Sequence, residues 1–184
     1  MKRSKIPYNK EASDLLKIIK SKTKEEFDKA HKIAVAVLIW GPSPADASPI
    51  SNLRKELKAK LMERGHLAVF SEQIVSRKNG LSIKTQQRMH AQYFDLIVSL
   101  PSSPGSIAEI HDFIGDPRLN KKMMIFLDNQ FRRGYSNQSL EASSTVRTYE
   151  TFFYNGVKGL KKVKNTVLKE VQKIREEKYS NQKR

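Results

Sequence analysis

The feature that most constrains the fold is a repeated alternation between short apolar runs and longer segments with helical periodicity. The first apolar run, Ile33 to Trp40, is rich in β-branched residues and ends at a Gly-Pro step. Such a run suits a strand that is buried on both faces, as the strands of a parallel sheet are. We therefore predict that this run forms the first strand of a parallel sheet.

A helix is predicted directly after this strand. Ser51 is a suitable N-cap, leucines recur every four residues from Leu53 to Leu61, and the helix is expected to continue to about Arg64. Gly65 follows as a left-handed stop. This helix is long enough to connect two parallel strands.

The same alternation continues along the chain. The further predicted strands are His66 to Phe70, Phe94 to Leu100, Lys122 to Leu127 and Thr145 to Phe152. The further predicted helices run from about Ile83 to Tyr93, from Ser106 onwards, and from Gly156 to near the end of the chain. Strands that alternate with helices imply right-handed βαβ units. The predicted fold is one doubly wound, flavodoxin- or Rossmann-like α/β domain with a parallel five-stranded sheet, in the order 2-1-3-4-5.

The ends of the chain differ from this α/β segment. Residues 1–32 are expected to be a basic helical appendage, residues 33–155 the nucleotide-binding domain, and residues 156–184 a basic helix and tail. Within the appendage, an apolar patch precedes Thr23-x-x-Glu26, which matches a capping box and predicts a second short helix. The patch consists of Leu15, Leu16, Ile18 and Ile19.

The formal net charge is +16, and most of it lies at the two ends. Residues 1–32 hold ten basic and five acidic side chains, and residues 156–184 hold ten and three. A positive surface attracts nucleic acid, a phosphorylated small molecule or an acidic protein. Lysine-rich terminal helices that serve only solubility are an equally good interpretation. An oligomer is compatible with the sequence.

Several classes of chemistry are excluded by composition. The chain has no cysteine, so it forms no disulfide, no thiolate metal site and no cysteine nucleophile. The four histidines are scattered, without acidic neighbours at ligand spacing, so we expect no metal and no bound cofactor. The longest apolar run is far below the ~20 residues that span a bilayer. We expect a cytoplasmic protein with no membrane contact.

The candidate site lies where two predicted strands end. In an open parallel sheet, ligands bind beyond the carboxyl ends of the strands, where the strand order reverses. Here that point is between strands one and three. The segments that leave these strands are Trp40-Gly41-Pro42-Ser43 and Pro101-Ser102-Ser103-Pro104-Gly105-Ser106. We expect the two segments to face each other and to contact a ligand.

The second segment carries most of the candidate chemistry. Gly105 before a helix start offers backbone amides and the positive end of a helix dipole to a phosphate or carboxylate. Ser102, Ser103 and Ser106 add hydroxyl groups. Glu109 lies one turn into the predicted helix, where its carboxylate can reach the pocket. The alternative is that Ser106-x-x-Glu109 is a capping box, and spacing alone favours this alternative.

A set of motifs in this order resembles the nucleoside 2-deoxyribosyltransferase-like family. The motifs are Trp40-Gly41-Pro42, Gly65-His66, Ser71-Glu72, Asp95-Leu96-Ile97-Val98 and Pro104-Gly105-Ser106-Ile107-Ala108-Glu109. The resemblance covers about residues 33–127, and Gly105-Ser106-x-x-Glu109 is its most specific element. This family belongs with TIR-like and SLOG-like domains to a class of Rossmann-like folds that bind nucleotides or cleave their N-glycosidic bonds. Similar domains are effectors of bacterial antiphage systems, including retrons.

The resemblance implies that Glu109 is the nucleophile that attacks the anomeric carbon of a nucleoside or nucleotide. Glu72 is a candidate to orient the sugar or to handle the proton of the departing base, or else a surface glutamate. Trp40 is a candidate to stack on a base, or else a core residue. Asn129 is a candidate to bind a base edge, or else a turn residue.

The positive charge favours a phosphorylated substrate such as NAD or a nucleotide over a free nucleoside. Two other hypotheses remain open at this point. One is a sensor that binds a nucleotide without cleaving it, and the other is a basic adaptor that associates with nucleic acid.

Overall fold

The computed structural model describes residues 9–76, 78, 80–134, 138 and 150–182. These residues form one five-stranded sheet in which every neighbouring pair is parallel. Its strands are β1 (Ala36–Trp40), β2 (Leu67–Phe70), β3 (Leu96–Ser99), β4 (Met123–Asp128) and β5 (Glu150–Tyr154). The order is β2-β1-β3-β4-β5, so the predicted fold class and strand order are confirmed.

Helices cover both faces of the sheet. The helices of the described residues are α1 (Lys10–His31), α2 (Pro49–Glu63), α3 (Ile83–Ala91), α4 (Pro104–Ile114), the short α5 (Pro117–Asn120) and α6 (Gly156–Gln182). Leucines of α2 and valines of α6 pack on one face of the sheet, and apolar residues of α3, α4 and α5 pack on the other. The sheet is therefore doubly wound.

Strand β1 shows why its sequence must be apolar throughout. Successive side chains of a strand point to opposite faces. Val37 and Ile39 belong to the core on the α2 and α6 side, while Leu38 and Trp40 belong to the core on the α4 side. Because both faces are covered by helices, neither set can be polar.

The first helix differs from its prediction. Helix α1 is continuous from Lys10 to His31, with Asn9 as its N-cap, so the predicted break at the Thr23-x-x-Glu26 box is wrong. No glycine or proline interrupts this stretch, and a Lys29–Glu25 ion pair of 2.8 Å supports its last turns. Of its side chains none is fully buried, and the predicted apolar patch is exposed.

Helix α2 begins earlier than predicted because Ser48, rather than Ser51, caps it. Helix α2 starts at Pro49, and the side chain of Ser48 accepts a hydrogen bond from the backbone N–H of Ser51. Proline is favoured at the first helical position, where its missing N–H costs nothing. Ser51 is therefore inside the helix, where its buried hydroxyl donates to the carbonyl of Ser43 over 2.8 Å.

Helix α6 is fixed at the amino edge of the sheet by a buried arginine. Arg175 donates to the carbonyl of Ile33 from Nε (3.0 Å) and to the carbonyl of Arg64 from Nη2 (2.8 Å). Beside it, Nδ1 of His66 accepts from the backbone N–H of Val35 over 3.1 Å. Burial, together with the charges of Arg175 and Arg64, lowers the pKa of His66 to about 4. The imidazole is therefore neutral at pH 7 and serves as an acceptor.

The predicted strand bounds are one to three residues too long at several ends, and β5 extends two residues beyond its predicted end. Strand β5 runs from Glu150 to Tyr154, whereas residues 145–149 of the predicted fifth strand lie outside the described residues. Across the described part of the chain, none of the helices combines the length and the apolar character needed to cross a membrane.

Candidate functional site

The ends of β1 and β3 adjoin, as predicted. The backbone N–H of Leu100 donates to the carbonyl of Trp40 over 3.0 Å. Gly41 has a φ of 152°, and a Cβ at this position would lie 2.9 Å from the carbonyl oxygen of Leu100. Because a side chain would collide with the neighbouring backbone, glycine is required where the two segments meet.

Trp40 lies in the core. Its side chain is 4% exposed, and its ring centroid is 4.9 Å from that of Phe113 on α4. The interpretation of Trp40 as a core residue therefore fits the structure better than its interpretation as a residue that stacks on a base. Its indole Nε1 is buried and has no hydrogen-bond partner among the described residues.

The start of α4 is capped by two serines. Ser103 is the N-cap, and its hydroxyl accepts from the backbone N–H of Ser106 over 3.2 Å. In return, the hydroxyl of Ser106 accepts from the backbone N–H groups of Ser102 and Ser103, each over 3.0 Å. The prediction that Ser106 opens the helix is wrong, since Pro104 is its first residue.

This cap changes the interpretation of Glu109. The capping box consists of Ser103 and Ser106, so Ser106-x-x-Glu109 is not one. Glu109 is the sixth residue of α4, one turn before Phe113 along the helix. Since Phe113 packs on Trp40, the Glu109 position is one turn nearer the carboxyl edge of the sheet. The side chain of Glu109 and the surroundings of Gly105 lie outside what the structure describes.

Glu72 is held in an ion pair with a buried arginine. Arg54 of α2 is completely buried, and its Nη1 and Nη2 each donate to one carboxylate oxygen of Glu72 over 3.0 Å. Burial acts to raise the pKa of Glu72, but the hydrogen bonds and charge of Arg54 outweigh it, so the pKa lies below its usual value. Glu72 is therefore ionised, which makes it a poor proton donor for a departing base.

Arg54 also stabilises the loop after β1. It donates to the carbonyls of Ile39 (2.8 Å), Gly41 (3.1 Å) and Pro42. Arg54 was not predicted as a site residue, although an arginine among the leucines of an apolar helix face is a visible signal.

The two predicted site residues that follow Gly41 differ in exposure. Pro42 is half-buried and Ser43 is exposed, and the hydroxyl of Ser43 accepts a hydrogen bond from the backbone N–H of Ala45.

A cavity of about 170 Å³ opens on the other side of the Pro101–Ser106 segment, at the carboxyl ends of β4 and β5. Pro101 and Ser102 are the residues of the predicted ligand-binding segments that line it. Its apolar walls come from the starts of α2 and α6, and its polar groups include Asp128 and Tyr154. The volume is below the ~300 Å³ at which pockets for drug-sized ligands begin, so it suits one base or one sugar.

Asp128 is fixed in this cavity by backbone amides. One carboxylate oxygen accepts from the N–H of Gln130 and the other from the N–H of Gly156, each over 3.0 Å. Burial, and then the charge of Asp128, raises the pKa of Tyr154 to about 12. The cavity therefore combines a carboxylate with a neutral phenol. Asp128 was not predicted as a site residue, although an acidic residue at the end of an apolar strand is a visible sequence signal.

Asn129 follows Asp128 but does not line the cavity. Its side-chain amide donates to the side-chain oxygen of Asn155, and its own Oδ1 has no partner among the described residues. The residue starts a short 3₁₀ turn, which agrees with its interpretation as a turn residue.

No protein-family model matches the chain, and no curated protein is significantly similar to it. The candidate site is therefore defined by the fold and by the residues just described. Among the described residues, no group of three or more histidine, aspartate or glutamate side chains could hold a metal ion.

Proposed function

We propose that the protein binds a nucleotide at the carboxyl edge of its sheet and cleaves the bond between base and sugar, with Glu109 as the nucleophile. The observation that carries this proposal is the position of Glu109 on α4. Glu109 belongs to the helix that follows β3, and the strand order reverses between β1 and β3. The capping role that would otherwise explain Glu109 belongs to Ser103 and Ser106.

The proposed reaction has two steps. The carboxylate of Glu109 attacks the anomeric carbon as the C–N bond breaks, and the base departs with the bonding electrons. The cationic nicotinamide of NAD departs as a neutral base, whereas the base of a nucleotide takes up a proton from water. Water then attacks the glycosyl ester, releases the sugar and regenerates the carboxylate of Glu109. In the transferase version of the reaction, a second base attacks the ester instead of water. A carboxylate suits this chemistry because positive charge develops on the sugar in the transition state.

The cavity beside Ser102 is proposed to hold the base. Its apolar walls can contact the faces of a base, and the carboxylate of Asp128 can accept hydrogen bonds from an amino or ring N–H group. A phosphate would be repelled by Asp128. The net charge of +16 favours a substrate that carries phosphate elsewhere, such as NAD or a nucleotide.

The biological role that fits this reaction is that of an effector in a bacterial antiphage or toxin system, as the resemblance implies. Cleavage of NAD or of nucleotides would deplete a pool on which phage replication depends.

The ion pair of Glu72 favours a second candidate function. With Glu72 ionised by Arg54, it is not available to protonate a departing base. A sensor would need no such group, because it binds a nucleotide in the same site and transmits the signal to a partner.

Base release separates these two functions. The parent protein is incubated with NAD, ribonucleotides and deoxyribonucleotides, and free base is measured by chromatography, while binding is measured by calorimetry. The matched variants are Glu109→Gln and Glu63→Gln, the latter at an exposed site on α2. We expect release by the parent and by Glu63→Gln, and at least a 100-fold slower release by Glu109→Gln. Nucleotide binding without any release would instead support the sensor.

A blocking variant tests the location of the site. Ser102 is exposed at the cavity, and its described hydrogen bond comes from its backbone, so Ser102→Trp is expected to fill the opening without disturbing the cap. We expect at least a tenfold loss of nucleotide affinity. Ser21→Trp, at an exposed position on α1, is the control and should change nothing. Equal affinities would place the ligand elsewhere.

A further inference from the structure

The solvent-facing side of α6 carries a row of lysines. From Gly156 to Lys169 the helix has five lysines and no acidic residue. Four of them are exposed and line a shallow groove together with two polar residues. The groove is lined by Lys158, Lys161, Lys162, Asn165, Thr166 and Lys169. We call the four lysines of this groove the lysine face.

The lysine face is separate from the packing role of the helix. The buried residues of α6 in this stretch, Leu160, Val163 and Val167, lie on the opposite side. The fifth lysine, Lys164, stands between the two sides and pairs with Glu56 of α2 over 2.8 Å. Within the described part of the chain, no ion pair is formed by any lysine of the lysine face. Four positive charges are therefore left for an external anion.

Their spacing suits a phosphate backbone. From Lys158 to Lys169 the helix rises about 16 Å, at ~1.5 Å per residue. One strand of a nucleic-acid duplex carries a phosphate about every 3.4 Å along its axis, so the row can span about five phosphates. Asn165 is exposed and adds a side-chain amide of the kind that also contacts phosphates in protein–DNA complexes.

The composition of the lysine face also distinguishes between polyanions. A helix that lies on an anionic membrane needs an exposed apolar side beside its lysines, whereas the apolar side of α6 is buried against the sheet. Single strands are usually bound with aromatic platforms, and the groove contains no aromatic residue. A duplex has the higher charge density, so it gains most from lysines alone.

We propose that the lysine face of α6 is a docking surface for the phosphate backbone of duplex nucleic acid, without sequence specificity. This inference does not depend on the proposed glycosidic chemistry, since docking requires no turnover. The first turn of α6 also lines the cavity beside Ser102, so a docked duplex would lie next to the candidate site.

The test is the salt dependence of binding to a fluorescent 20-base-pair duplex. With four phosphate contacts, log K should fall with log salt at a slope of about −3.6, which is about 150-fold between 50 and 200 mM salt. The test variant replaces all four lysines of the lysine face by glutamine. We expect the slope of log K against log salt to become less negative by about 3.6. The control variant removes the same charge from exposed positions of α1, namely Lys17, Lys20, Lys22 and Lys24.

Three results would overturn the proposal. The first is equal loss of binding in both quadruple variants, which would show a net-charge effect. The second is undiminished binding in the lysine-face variant. The third is failure of the parent to bind the duplex at 50 mM salt, including the case in which it binds phosphatidylserine vesicles instead. Circular dichroism of both variants checks that the fold is retained, and base release by the lysine-face variant tests the catalytic proposal separately.

Discussion

Replacing the buried arginine of α2 is expected to destabilise the protein strongly. In Arg54→Met the apolar stem keeps its packing, but the carbonyls of Ile39, Gly41 and Pro42 lose their donor. Glu72 loses its partner as well, although its side chain is 41% exposed and can be hydrated. The contact of the guanidinium with the ring of Phe70, 4.5 Å from its centroid, is also lost.

The magnitude follows from these losses. A buried acceptor without a donor costs about 1–3 kcal/mol, and the cation–π contact contributes about 1 kcal/mol. Because Gly41 and Pro42 are half-buried, water can replace part of their bonds. We therefore expect the free energy of unfolding to fall by about 4 kcal/mol, within the ~3–5 kcal/mol typical of a broken buried pair.

Urea denaturation followed by circular dichroism measures this change, with Glu72→Gln as the matched control. In the control Arg54 keeps its carbonyl contacts and one side-chain acceptor, so we expect a loss of about 1 kcal/mol. If Arg54→Met costs less than about 1 kcal/mol, or no more than Glu72→Gln, then the arginine does not stabilise the loop after β1 as described.

Three further changes test other parts of the structure. Gly41→Ala places a Cβ 2.9 Å from the carbonyl of Leu100, so thermal unfolding should show a marked drop in Tm, and an unchanged Tm would contradict the need for glycine. Ser103→Ala removes the N-cap of α4 and should cost about 1 kcal/mol in urea denaturation, whereas a neutral effect would reject the cap. His66 is neutral in the folded state down to about pH 4 but has an ordinary pKa near 6.5 when unfolded, so unfolding takes up a proton between these values. Stability should therefore decrease by about 3 kcal/mol from pH 6.5 to pH 4, and His66→Asn should remove this part of the pH dependence; a parent and variant with identical pH profiles would contradict it.

The fold was predictable because its signals are local and repeated. Each strand is a short apolar run, and each connection has helical periodicity, which together leave few topologies. The predicted order 2-1-3-4-5 matches the observed sheet. Helix starts were less predictable. Ser48 and Ser103, rather than Ser51 and Ser106, are the caps, because a proline follows each of them at the first helical position.

The candidate site was predictable only in part. Adjoining ends of β1 and β3 follow from topology, and so does the position of α4. The partner of Glu72 could not be predicted, because Arg54 and Glu72 meet only once α2 has packed on the sheet. The cavity beside Ser102 likewise depends on β5 and α6, whose placement next to β4 is a tertiary feature.

The most direct test of the central claim is intact-protein mass spectrometry during base release from a nucleotide. Samples are quenched within the first turnover, and the labelled peptide is identified after proteolysis. We expect a mass increase equal to the glycosyl part of the substrate on the peptide that contains Glu109, and none in Glu109→Gln. Base release with the label on another peptide, or with undiminished labelling of Glu109→Gln, would contradict it.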